Sequence, residues 1–123
     1  MPDNLKRNIF VVDDEPAIAM SLAAILNASG FQATSFTDPE MALRVAETSK
    51  PSLLITDVMM PQMNGIQLAV QVQSVCPDCK VLLFSGQAST GNLLGSAKES
   101  GLYFQLLEKP IHPKDLIETI KKL

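Results

Sequence analysis

Strand-like and helix-like runs alternate five times along this chain, and that rhythm predicts an α/β fold around one parallel sheet. Two observations sharpen the prediction. The runs at 9–12 (IFVV), 53–56 (LLIT), 81–85 (VLLFS) and 103–107 (YFQLL) are mostly apolar, as strands covered on both faces must be. Pro16, Pro39 and Pro113 each stand where a first-turn proline opens the following helix.

The elements follow in order. The first helix carries Ile18, Leu22, Ile25 and Leu26 at i, i+4, i+7, i+8, which marks one apolar face, and Gly30 supplies its stop. The second strand run, FQATSF at 31–36, alternates and therefore reads as an edge strand. Asp38 before Pro39 and Asn64 before Gly65 are N-caps of the second and third helices. The fourth helix, over 89–101, is the weakest, because Gly91 and Gly95 each cost about 1 kcal/mol relative to Ala, and Gly101 ends it. The fifth, PKDLIETIKKL, runs to Leu123. Right-handed crossovers then give a flavodoxin-like (βα)5 doubly wound sheet of order 2-1-3-4-5, over residues 1–123 as one domain.

Bulk properties narrow the function. The 123 residues are 46% hydrophobic with a net charge of −3, enough for a core without a disulfide or metal staple. No Lys/Arg cluster of the nucleic-acid-binding kind occurs. No apolar run approaches the roughly 18 residues of a membrane span, and MPDNLKRN lacks the apolar core of a signal peptide. A cytoplasmic protein without nucleic-acid contact or membrane insertion is expected. Cys76 and Cys79 in CPDC sit at the end of a helix run, the wrong end for lowering a thiol pKa, and two unpaired loop thiols are the expectation. His112, the only His, precedes Pro113 as an ordinary helix cap rather than a phosphate carrier. Met20, Met41, Met60 and Met63 read as core or rim filler.

Ligands of such sheets bind at the carboxyl ends of the strands, near the switch between strands 1 and 3. Strand 1 ends in Asp13, Asp14 and Glu15; strand 3 in Asp57; strand 4 in Ser85 and Gly86; strand 5 in Glu108, Lys109 and Pro110. Two like charges 4 Å apart cost about 4 kcal/mol at an effective dielectric of about 20. Lys109 offsets part of this, and an all-oxygen site suits a hard divalent cation, Mg²⁺ above all. The alternative is that these are scattered, solvated surface charges.

These residues resemble the receiver domain of bacterial two-component response regulators. The resemblance rests on VVDDE (11–15), on the D-x-x-M-P-x-M-x-G run from Asp57 to Gly65, on Ser85-Gly86 and on Lys109-Pro110, and it spans essentially the whole chain. It implies that Asp57 accepts a phosphoryl group from a phosphohistidine of a sensor histidine kinase or phosphotransfer protein. It further implies Asp14 as direct Mg²⁺ ligand, Asp13 as its neighbour acting through water, and the Met59 carbonyl completing the set. Lys109 and Ser85 would hold phosphoryl oxygens. The surface of helix 4, strand 5 and helix 5 would then change for a downstream effector or self-association. The chain would be no turnover enzyme, catalysing only its own phosphorylation and slow dephosphorylation. Gly65 would let the chain turn tightly into the third helix.

One departure stands out. The family often has an aromatic residue three before the strand-5 lysine; here Leu106 holds that place, as a smaller switch or simply as core, while Tyr103 and Phe104 stand nearby. Met59 cannot orient an attacking water, whereas Gln87 is a candidate for that task. Other classes fit less well. A flavin or nucleotide domain needs a phosphate-cradling loop after strand 1, where this chain has DDEP. A phosphatase with an Asp nucleophile commonly has an acid two residues on, where Met59 stands. A pseudo-receiver, acting by contact alone, would not need the acidic set.

Overall fold

The computed structural model describes residues 8–86, 105–108 and 111–123. The predicted fourth helix, Gln87, Tyr103, Phe104, Lys109 and Pro110 lie outside the described residues. The elements are β1 (Asn8–Val12), α1 (Pro16–Ala28), β2 (Gln32–Phe36), α2 (Pro39–Ser49), β3 (Leu53–Asp57), α3 (Gly65–Val75), β4 (Lys80–Ser85), β5 (Gln105–Glu108) and the C-terminal helix α4 (Pro113–Lys121). All strand pairs are parallel, and the sheet order is β2-β1-β3-β4-β5. The predicted α/β doubly wound fold is therefore the observed one, with β2 on an edge.

Side chains alternate across the central strands, and each face is covered by its own helices. Phe10, Val12, Leu54, Val58 and Leu83 face α2 and α3. Ile9, Val11, Leu53, Ile55, Leu82 and Phe84 face α1 and α4. Burying each of these large side chains contributes roughly 1.5–3 kcal/mol. This two-sided burial holds β3, the central strand, along all five of its residues.

Helix starts obey the local chemistry. Pro16, Pro39 and Pro113 each occupy the first turn, where a missing N–H costs nothing. The Asp38 side chain accepts from the Glu40 N–H at 3.0 Å. Asn64 and Gln67 form a reciprocal capping box, with bonds of 2.8 and 3.0 Å. Gly30 adopts φ 97 after α1 as a left-handed stop should, and Lys50 after α2 takes φ 43 although it carries a Cβ.

Two expectations need correction. The buried face of α1 is Ala19, Leu22, Ala23 and Leu26, whereas Ile18 and Ile25 are only half-buried. Ile18 still packs against this core from its edge, while Ile25 does not join it. Met60 is buried and Met63 packs against the core, but Met20 and Met41 are exposed on their helices. The cysteines are unpaired, as expected, and both are buried. On α4 and its C-cap, the charged residues Lys114, Asp115, Glu118, Lys121 and Lys122 are all exposed, with Leu116 and Ile120 buried.

Candidate acidic site at the carboxyl ends of the strands

Asp13 follows the last residue of β1. Its N–H donates to the Phe36 carbonyl at 3.0 Å, extending the β1–β2 ladder by one rung. Its carboxylate then accepts the Glu15 N–H at 2.9 Å, which bends the chain toward α1. Asp13 is thereby fully buried, and Asp14 is thrown outward to an exposed position.

Asp57 ends β3 and is 6% exposed. One carboxylate oxygen from each of Asp13, Asp14 and Asp57 lies within 4.8 Å of the others. At that separation an ionised pair repels by roughly 3.5 kcal/mol at an effective dielectric of about 20. Ser85 closes β4, 4% exposed, one residue beyond Phe84, the residue that pairs with Asp57 in the β3–β4 register. Glu108 pairs with Ser85 at the end of β5, and Lys109 lies outside the described residues.

The peptide that follows Asp57 is held from several sides. The Val58 N–H donates to the Phe84 carbonyl at 3.2 Å, and the Val58 carbonyl accepts from the Gly65 N–H at 2.8 Å. The Asp57 carbonyl accepts from the fully buried Thr56 hydroxyl at 3.0 Å. Gly65 packs directly on it: a Cβ there would fall on the Asp57 carbonyl oxygen and 3.0 Å from its carbon. This replaces the expected reason for Gly65. Its φ lies outside the left-handed range, so the glycine serves close approach of α3 to β3, not a tight turn. Thr56 was not singled out from the sequence; the available signal was a lone hydroxyl inside the apolar run LLIT.

Met59 is exposed, at 39%. Beside the carboxylates, Asp14, Thr37, Asp38, Pro39, Pro61 and Gln62 line a cleft, open to an approaching group. Leu106 is half-buried on the α2/α3 side of the sheet and packs against that core.

The other candidates fall away from this rim. Cys76 caps the C-terminus of α3, and its thiol donates to the Pro51 carbonyl at 3.3 Å. Cys79 donates to the Lys80 carbonyl at 3.3 Å. Burial, then the neighbouring Cys76, pushes the Cys79 thiol up to about 12, against a lowering backbone hydrogen bond at Leu54. A protonated, buried thiol is the opposite of a reactive one. His112 is exposed and caps α4, its Nδ1 accepting from the Lys114 N–H at 3.3 Å. No helix among the described residues is long and apolar enough to cross a membrane.

The family model described as response regulator receiver domain matches residues 9–121. The chain is 29% identical over 117 residues to a response regulator receiver protein of Brucella abortus, covering 95% of this chain and 96% of that one. It is 30% identical to the alkaline phosphatase synthesis transcriptional regulatory protein of Bacillus subtilis, covering 97% of this chain but only 49% of that protein. Among solved structures, a chemotaxis protein of Vibrio cholerae superposes with a TM-score of 0.81 at 26% identity, over 95% of this chain and 98% of the other. A receiver domain protein from Methanospirillum hungatei gives 0.83 at 28% identity, over 94% and 91%.

Proposed function

This chain belongs to the response regulator receiver family, and on that premise we propose that it is a Mg²⁺-dependent phosphoacceptor switch whose acceptor is Asp57. The observation that carries the reading is the convergence of Asp13, Asp14 and Asp57, with Ser85 buried alongside, at the carboxyl ends of three adjacent strands.

The donor set fits the cation. All the clustered atoms are carboxylate oxygens, the ligand type that a hard ion takes and a soft one does not. Asp14 and Asp57 would bind Mg²⁺ directly with the Met59 carbonyl, and Asp13 would act chiefly through water. When bound, the ion supplies positive charge against the carboxylates and the incoming phosphoryl oxygens.

The chain's residues do the rest. A carboxylate oxygen of Asp57 attacks the phosphorus of a phosphohistidine on a partner. The P–N bond breaks, its electron pair leaves with the imidazole nitrogen, and Asp57 becomes an acyl phosphate. The reaction asks for positioning more than covalent help, and a strand buried along its whole length supports that positioning. Lys109 and Ser85 hold phosphoryl oxygens, the lysine by charge and the serine by donating its O–H. Met59 offers no acid or base two residues beyond the acceptor, which favours a stable phosphoprotein over turnover. The chain is accordingly no enzyme beyond its own phosphorylation and slow dephosphorylation.

The partner that loads Asp57 is a sensor histidine kinase or a phosphotransfer protein, met in the cytoplasm. The signal leaves through a surface that includes β5 and α4, where Leu106 acts as a smaller switch or, packed against the core as it is, simply as core.

Intact-mass spectrometry after incubation with phosphoramidate and Mg²⁺ tests the proposal. One phosphoryl group should add to the wild type, and none to Asp57→Asn or without Mg²⁺. An equal adduct on Asp57→Asn would refute Asp57 as acceptor. No adduct from small donors or kinases, together with no Mg²⁺ binding by calorimetry, would favour the pseudo-receiver reading.

A further inference from the structure

The strand that delivers Asp57 stops at Asp57, so the carbonyl of that residue lies where the sheet's regular ladder ends. A buried carbonyl needs a donor, and a weakly held one lets its peptide plane rotate. The Thr56 hydroxyl provides the donor at 3.0 Å, from a residue with no solvent exposure. Gly65 covers the same oxygen, held there by its own N–H on the Val58 carbonyl at 2.8 Å. The Val58 N–H is tied to Phe84 at 3.2 Å. Both sides of the Asp57–Val58 peptide are therefore fixed, one by β4 and one by Thr56 with α3.

The consequence reaches the carboxylate. The orientation of the Asp57 Cα–Cβ bond is set by the backbone on either side of it, and the ψ of Asp57 is the torsion that the Thr56 bond restrains. Asp57 must keep one oxygen toward Asp13 and Asp14 and one toward the incoming phosphorus. A rotated peptide would also displace the next carbonyls along the chain, that of Met59 included.

We infer that Thr56 is a positioning residue for the phosphoacceptor: its buried hydroxyl holds the Asp57 peptide plane and, through it, the direction of the reacting carboxylate. The inference rests on the reading of Asp57 as acceptor. Thr56 touches neither phosphate nor cation and acts only through Asp57.

Three variants test it in the full chain: Thr56→Val, which keeps the shape and removes the hydroxyl; Thr56→Ser, which keeps the hydroxyl; and Val72→Ala, a buried change in α3 within the same core but away from the site. Phosphorylation rates come from intact mass with phosphoramidate and Mg²⁺, and stability from urea midpoints. Thr56→Val should react about tenfold more slowly, and Thr56→Ser within about twofold of wild type. Val72→Ala should lower the urea midpoint at least as much as Thr56→Val yet keep the wild-type rate. A wild-type rate in Thr56→Val overturns the inference, as does equal slowing in Val72→Ala, since either reduces Thr56 to a core residue. Failure of the wild type itself to gain phosphate would instead defeat the parent reading, and the inference with it.

Discussion

Replacing Gly65 by Ala separates two opposed physical predictions. Gly65 opens α3 with a φ outside the left-handed range, so helix propensity alone predicts that Ala stabilises the protein by up to about 1 kcal/mol. The packing predicts the reverse. The new Cβ would meet the Asp57 carbonyl oxygen, stand 3.0 Å from the Asp57 carbonyl carbon and 3.1 Å from the Val58 Cα. All three atoms are backbone, so no side chain can rotate to make room. Relief requires α3 or the end of β3 to move by about 1 Å. Overpacking of this kind costs about 1–3 kcal/mol, which leaves a net loss of up to about 2 kcal/mol after the propensity gain. With a urea slope of about 1–2 kcal/mol per molar, the midpoint should fall by about 1 M. The chain has no Trp, so circular dichroism is the natural probe. Because the displaced atoms belong to Asp57, the phosphorylation rate should fall by ten- to a hundredfold as well. A Gly65→Ala protein as stable and as reactive as wild type would refute the close-approach argument.

Other perturbations have equally definite outcomes. Asn64→Ala removes half of the capping box and should cost about 1 kcal/mol in a urea titration, with Asn64→Asp much milder. Lys50→Val puts a β-branched residue at φ 43 and removes the Nζ bond to the Val75 carbonyl, for a loss of about 1–2 kcal/mol, whereas Lys50→Gly should be tolerated. The Cys79 thiol is raised on folding from 9.0 to about 12, so the native state holds that proton more tightly than the unfolded chain. Its contribution to stability is complete below pH 9 and is lost as pH climbs toward about 12, and Cys79→Ala should flatten that part of a stability-against-pH curve. Iodoacetamide should leave both thiols unmodified in the native protein at neutral pH and label them after unfolding.

The parts of this molecule legible in its sequence are those written in local patterns. Apolar runs without alternation gave the buried strands β1, β3 and β4, though not β5, an edge strand that is only half-buried, and strand-end positions gave the acidic rim, because topology alone brings the ends of β1, β3 and β4 together. Proline and asparagine marked helix starts, because caps depend on a residue and its next three neighbours. What escaped was set by docking. Ala19 and Ala23 are buried on α1 while Ile18 is only partly buried and Ile25 stays out of the core, a choice made by helix rotation against the sheet. Gly65 looked like a turn residue, and only the approach of α3 to the Asp57 carbonyl reveals its role. Thr56 read as one more strand residue until the carbonyl it serves was located. The CPDC thiols lie in the core because the turn folds them inward under α3, which no spacing rule encodes.

The central claim is that Asp57 itself carries the phosphoryl group. Borohydride converts an acyl phosphate to an alcohol, so treating the phosphorylated protein with it and sequencing its peptides by mass spectrometry marks the modified residue. The account predicts homoserine at position 57, formed only when Mg²⁺ and a phosphodonor are both present. Reduction at Asp13 or Asp14, or equal reduction without Mg²⁺, would contradict it.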